Sequence, residues 1–269
     1  MTRWRPLWSG HLALGLITIP VKLYTAIDVS QEPHFRLLDR NTLVPIKEVR
    51  VNPKTDQEVP WPQIVRGVEY ARGKFVPLTN DELKALPLPT AHTIELSGFV
   101  AAGEIDPVYF EKAYYLGPDR GGEKPYALLR DALAETGKAG LGKVTIRTRE
   151  RISAVIPRGR TLAMHTLLYA EEVRRAEDVP DVPARIGVRP TEERMARQLI
   201  EAMTTTFNPG QYKSDYRRAL NRLVKAKLEN KSITPPKAVA KVIDLQEALR
   251  ESLKRAPSRD RANRRRAAS

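Results

Sequence analysis

Apolar positions along the first two thirds of the chain recur at every second residue. In Trp8–Tyr24 (WSGHLALGLITIPVKLY), Leu12, Leu14 and Leu16 fall on one alternation and Ala13, Ile17 and Ile19 on the other. That pattern predicts one strand covered on both faces, with Pro20 marking an edge, a bulge or a strand end. From Phe35 to Phe99 short apolar runs are broken by Asn52-Pro53, Pro60-Trp61-Pro62, Gly67 and Gly73. Val65–Tyr70 and Lys74–Leu78 read as strands on either side of Gly73. Thr79 then caps a short helix running through Leu86. Residues 35–90 therefore read as an irregular sub-domain or an extended arm. Ile94–Val100, Ala113–Leu116, Val144–Arg149 and Leu162–Tyr169 are further strands. Between the first two lies an acidic turn, Glu104 to Phe110, whose carboxylates read as solvated or capping groups.

The period then changes. Tyr126, Leu129 and Leu133 share one face of a helix that follows Gly121-Gly122 and is closed by Gly137. Arg174–Pro190, with three prolines, reads as a linker. Beyond it Thr191 is expected to cap a helix with Met195, Leu199, Met203 and Phe207 on one face. Asn208-Pro209-Gly210 breaks it, and a second helix carries Tyr212, Tyr216, Leu220 and Leu223 to about Glu229. Both apolar faces need a cover, so the pair reads as a packed helical hairpin rather than a helix-turn-helix reader of DNA. A last amphipathic segment spans Ala238–Leu253. Residues 254–269 hold almost nothing to bury and read as a disordered basic arm. The fold class is mainly β with α (α+β), with a β-rich core over residues 1–190, a helical region over 191–230 and an extension over 231–269.

Charge adds what periodicity does not. The chain has 46 Lys and Arg against 32 Asp and Glu, a net charge of +14. Residues 191–269 alone hold 19 against 9, so the excess is concentrated there. A polyanion is the expected partner. Residues 143–160 contain six Lys and Arg and one acid, Glu150. A face that only confers solubility mixes signs, so this run is a candidate phosphate-contacting face, with Val144 and Ile146 buried and Thr145, Arg147 and Arg149 opposite.

Other chemistries are poorly supported. There is no cysteine, and the four histidines have no metal-ligand spacing. No cofactor or metal is expected. Gly137–Lys143 matches a phosphate-binding loop up to its lysine, yet it runs from helix to strand and Val144 stands where Ser or Thr is required. Arg3 and Arg5 before an apolar run resemble a secretory signal only superficially, and no run approaches a membrane span. The expected location is cytoplasmic and nucleoid-associated, with no membrane partner.

Several separated phrases resemble the bacterial Ku family, whose members bind the ends of broken DNA. They are Trp8-Ser9-Gly10, Ile19–Tyr24, Glu58-Val59-Pro60, Ile64–Gly67, Glu104–Pro107, Tyr114-Tyr115-Leu116, Gly121–Lys124, Tyr126–Arg130, Pro157-Arg158-Gly159, and His165–Leu167 with Tyr169–Arg174. Their order and spacing agree over about the first 230 residues. Some relatives carry a Cys-x-x-Cys pair before Glu-Val-Pro; here those positions correspond to Asn52 and Thr55, a workable turn without zinc.

The resemblance implies a Ku-type β-barrel with a bridging arm, a ring-shaped homodimer threaded by duplex ends, no enzymatic activity, and recruitment of an ATP-dependent end-joining DNA ligase through the helical region. A ring that accepts any end needs dispersed cations on phosphates rather than base readers. The candidate DNA-contacting residues are Arg36, Lys47, Arg50, Lys54, Arg66, Arg72 and Lys74 in the arm; Lys143, Arg147, Arg149, Arg151 and Arg158 in the basic strands; and Arg264, Arg265 and Arg266 in the tail. The main alternative is an RNA-binding or general basic nucleic-acid-binding protein. A nuclease comes third, because no paired-carboxylate site stands beside a lysine.

Overall fold

The computed structural model describes residues 4–28, 33–86, 90, 92–146, 149–183, 186–229, 231 and 245–255. The chain divides into two units, Met1–Asp178 and Val179–Ser269.

The first apolar run is a hairpin, not one strand. β1 (Trp8–Leu14) and β2 (Ile17–Thr25) pair antiparallel around a two-residue turn. Gly15 there has φ +56°, a left-handed conformation that costs glycine little. A two-residue turn puts Leu14 and its partner Ile17 on one face, so the inward positions switch from even numbers in β1 to odd numbers in β2, and the two phases together imitate one strand that is apolar on both faces. Leu16 is exposed at its tip. Pro20 sits inside β2 without loss. Its β1 partner His11 donates its own N–H to the His92 carbonyl, and the β2–β6 ladder begins only one residue later, at Val21.

After β2 the chain builds the arm from three successive reversals. In the first, Leu38 and Pro45 form a bridge and the Asp39 carboxylate accepts from the Asn41 and Thr42 N–H groups and the Thr42 hydroxyl. In the second, Val51 bridges Glu58, the Asn52 carbonyl accepts from Asp56 N at 2.9 Å, and its side-chain oxygen accepts from Lys54 N at 2.9 Å. Hydrogen bonds thus hold the turn at Asn52 and Thr55. The third is a regular hairpin of β3 (Arg66–Ala71) and β4 (Lys74–Leu78), followed by α1 (Asn80–Lys84) with a capping box between Thr79 and Glu82.

The chain re-enters as β5 (Thr93–Ala101), then β6 (Phe110–Pro118), α2 (Glu123–Thr136), β7 (Lys138–Ile146), β8 (Arg149–Arg158) and β9 (Thr161–Leu167). Asp106 caps the turn before β6, accepting from Val108 N, the role expected of that acidic stretch. Seven strands close a barrel in the order β1-β2-β6-β9-β8-β7-β5. All neighbours are antiparallel except β1 and β5, which run parallel and close the seam. Residues two apart fill the core, among them Ile19, Val21 and Leu23, Ile94 and Leu96, Tyr114 and Leu116, and Leu162 and Met164. The α2 face of Tyr126, Leu129 and Leu133 joins the same core and packs on β7 and β8. Gly137 ends α2 with φ +63°. At Gly142 the β5 backbone comes so close that a Cβ would overlap the Glu95 carbonyl.

The second unit contains α3 (Pro190–Met203), α4 (Asp215–Leu228) and α5 (Leu245–Arg255). Three helical expectations change. The first helix is capped by Arg189 with Pro190 in its first turn, not by Thr191, because proline's fixed φ suits that position. Its last turn is Met203, and Phe207 instead faces Tyr212 across the break, ring centroids 6.0 Å apart. α3 packs alongside α5 rather than forming the expected packed hairpin with α4. The stretch 238–244 of the last amphipathic segment lies outside the described residues.

Candidate nucleic-acid interface

The arm presents its cations at the bases and tips of its three reversals. Arg36 and Lys47 flank the first, Arg50 begins the second and Lys54 lies in its turn. Arg66 opens β3, Arg72 sits in the β3–β4 turn and Lys74 opens β4. All seven are exposed, and none makes an ion pair among the described residues. Six of them are left as solvated charges. Arg50 is different, since its guanidinium carbon stands 4.5 Å from the centre of the Trp61 ring, an arrangement that holds the charge in place while leaving it able to donate. Arg40, in the first reversal, is a further exposed cation of this set, one that the sequence pattern does not single out.

The barrel cations behave otherwise. Lys143 donates to Glu150 at 3.0 Å, and this bond is the main reason the Glu150 carboxyl lies below, and the Lys143 ammonium above, its ordinary pKa. Glu150 also accepts from Thr90 at 3.2 Å and from the Tyr169 phenol at 3.5 Å, and Thr90 is hydrogen-bonded to Thr145 at 2.7 Å. Thr90 and Thr145 are almost fully buried. The Thr145 side chain is therefore structural, not part of an open basic face.

Arg151 is 19% exposed and clamped between Glu111 at 3.3 Å and Glu172 at 3.4 Å. Arg149 begins β8, on the far side of a strand reversal from Val144, so the expected run of alternating guanidinium groups on one strand does not exist. Arg149 lines a cavity of about 320 Å³ together with Lys112 and Arg151. Arg158 ends β8, exposed and without an ion pair among the described residues. Arg147, Arg264, Arg265 and Arg266 lie outside the described residues.

The named arm cations therefore make no ion pair among the described residues, whereas the barrel uses Lys143 and Arg151 to tie its own segments together. Around the arm cations, Phe35, Leu37, Leu43, Val68, Tyr70 and Phe75 are exposed apolar side chains, more than a small hairpin set can bury on itself. Among the described residues, no three of His, Asp and Glu gather closely enough to share a metal ion, and no helix is long and apolar enough to cross a membrane.

This architecture matches a known one. The family described as the Ku70/Ku80 beta-barrel domain matches residues 13–197. The chain belongs to the Ku family. Within it, the chain is 42% identical over 255 residues to the non-homologous end joining protein Ku of Opitutus terrae, covering 93% of this chain and 91% of that one. The corresponding protein of Heliobacterium modesticaldum is 41% identical, with 93% and 91% covered, and that of Bacillus subtilis 38% identical, with 93% and 81% covered. The closed barrel with helices is the fold expected of a Ku chain. Neither the family description nor these names carries an enzymatic activity.

The hydrogen-bonded group of Thr90, Thr145, Glu150 and Tyr169 is invisible in the sequence. Its members are up to 79 residues apart in the chain, and no spacing signal links them. In this Ku chain the group fixes the point where the arm returns to the barrel.

Proposed function

We propose that two copies of this chain form a ring that holds the end of duplex DNA through phosphate contacts, in the repair of double-strand breaks by non-homologous end joining. The observation that carries this reading is the arm, whose named cations are exposed and make no ion pair among the described residues, on hairpins whose apolar side chains stand exposed. Phosphate contact is the chemistry that dispersed, exposed Arg and Lys perform without regard to sequence. A second copy related by a two-fold axis would cover the apolar side chains and double the cations. The names of the relatives supply the setting, end joining.

The contacting residues in this reading are Arg36, Lys47, Arg50, Lys54, Arg66, Arg72 and Lys74, with Arg149 and Arg158 as outer contributors and Arg147 and Arg264–Arg266 assigned on charge alone. Lys143 and Arg151 act instead as braces of the barrel. The protein works by binding, not by catalysis, and acts at the nucleoid in the cytoplasm. Its helical region recruits an ATP-dependent DNA ligase, for which the exposed Tyr216, Leu223, Val224 and Leu228 of α4 are a fitting surface.

The test compares one duplex as a linear molecule and as a closed circle across a salt series. A ring threads only onto ends, so competitor-resistant protein is expected on the linear form alone, and blocking both ends should abolish it. Equal binding of both forms with one salt slope would overturn the ring and turn attention to RNA.

A further inference from the structure

The outer wall of the barrel carries an aromatic pocket that the duplex-binding reading does not use. Trp4 stands on β2 and β6 with its ring edge-on to Tyr24 at 6.1 Å and to Tyr115 at 6.2 Å between ring centroids. With Leu116, Gly117 and Thr161 these rings line a pocket of about 350 Å³. Trp4 remains 63% exposed, an unfavourable place for an indole that only packs.

The lining is nearly all apolar and holds no acid. The Thr161 hydroxyl is spent, donating to the Leu116 carbonyl at 2.8 Å and shared with the Tyr126 phenol at 3.1 Å. The backbone beneath is also spent, because Leu23 and Tyr24 pair with Leu116 and Tyr115 on one side of β6, and Leu162 and Ala163 pair with the same two residues on the other. No strand edge is open there, so a peptide could not add as an extra strand. Exposed cations adjoin the pocket residues in the chain, Arg5 after Trp4 and Arg160 before Thr161, and neither side chain is ion-paired among the described residues. Flat apolar faces with no backbone group on offer, and with an exposed arginine next in the chain to Trp4 and to Thr161, suit a stacked base of a polyanionic strand.

We infer that the Trp4–Tyr24–Tyr115 pocket binds an unpaired nucleotide of a single-stranded overhang at a DNA end. This rests on the end-binding reading and adds to it: the ring holds the duplex, and the pocket takes hold of a base that the duplex cannot use. Stacking is indifferent to base identity, so overhangs of any sequence are served.

The experiment uses the full chain and hairpin duplexes with a single open end, either blunt or carrying a short overhang. Trp4→Ala should weaken overhang binding roughly tenfold, within the range for loss of one base–aromatic stack, and leave blunt-end binding unchanged. Trp4→Phe should restore most of the difference, and Tyr115→Ala should act like Trp4→Ala. An equal loss on blunt and overhanging ends, or no loss on either, would overturn the pocket. Binding of wild-type protein to linear over circular duplex is measured alongside. Its absence would sink the ring reading by itself, whereas the pocket is judged on the difference between overhanging and blunt ends.

Discussion

The phenol oxygen of Tyr126 accepts the backbone N–H of Leu162 at 2.8 Å while donating to the Leu116 carbonyl at 2.6 Å. One side chain of α2 thus completes the end of the β6–β9 ladder, whose last pair is Leu116 with Leu162. Tyr126→Phe keeps the ring and strands a buried N–H. The expected loss is about 1–3 kcal/mol, read from urea unfolding, with the fold preserved in the circular dichroism spectrum. No loss would mean that the ladder end relaxes to find another partner.

Gly142 tolerates no side chain, because the β5 backbone occupies the space a Cβ needs. Gly142→Ala must push β5 and β7 apart at the barrel wall and should cost about 1–3 kcal/mol or more. Gly98→Ala is the control, since its Cβ would meet open space. Thermal melts of the two variants should differ clearly, the first lowered and the second near wild type.

Burial holds the His165 imidazole below its ordinary value of 6.5, its ring edge-on to Phe110 at 5.0 Å. The unfolded chain therefore takes up a proton before the folded one does. Stability from this residue is present above pH 6.5 and declines as pH falls through the interval between the unfolded and folded values. His165→Leu should flatten that decline in unfolding measurements across pH, and an unchanged slope would assign it elsewhere.

Arm and barrel cations should separate in binding assays. Reversing charge at Arg66, Arg72 and Lys74 should lower the dependence of end binding on log salt by about 0.9 for each phosphate that is no longer neutralised. Lys143→Ala and Arg151→Ala should leave that slope unchanged and lower the melting temperature. If the two groups changed the slope alike, the division between DNA-binding cations and braces would be wrong.

What is legible in the sequence follows from how local the cause is. The β3–β4 hairpin, the Thr79–Glu82 cap and the buried face of α2 are each written within a few residues, and each stands in the structure where the pattern puts it. The Leu14–Ile17 reversal is hidden, because the switch from even to odd inward positions, with an apolar Leu16 at the tip, looks like one strand that is apolar on both faces. The basic run at 143–160 is legible as charge but not as ion pairing. Lys143 and Glu150 meet only because β7 folds back on β8, and Arg151 meets Glu111 only through a wall built from β6, β9 and β8. Strand order in a closed barrel is a property of distant pairings, so a cation's partner stays hidden until the barrel is closed.

The parallel seam of β1 and β5 has a consequence for how the arm can change over time. The chain leaves from β2 and returns as β5, and both flank β1 toward its N-terminal end. The arm is thus a detour between two strands that the barrel already holds in place. Lengthening such a detour is cheap, about 0.6 kcal/mol for each doubling. The reach of the arm is therefore nearly independent of the barrel's stability, and insertion or deletion can change it without renegotiating the core.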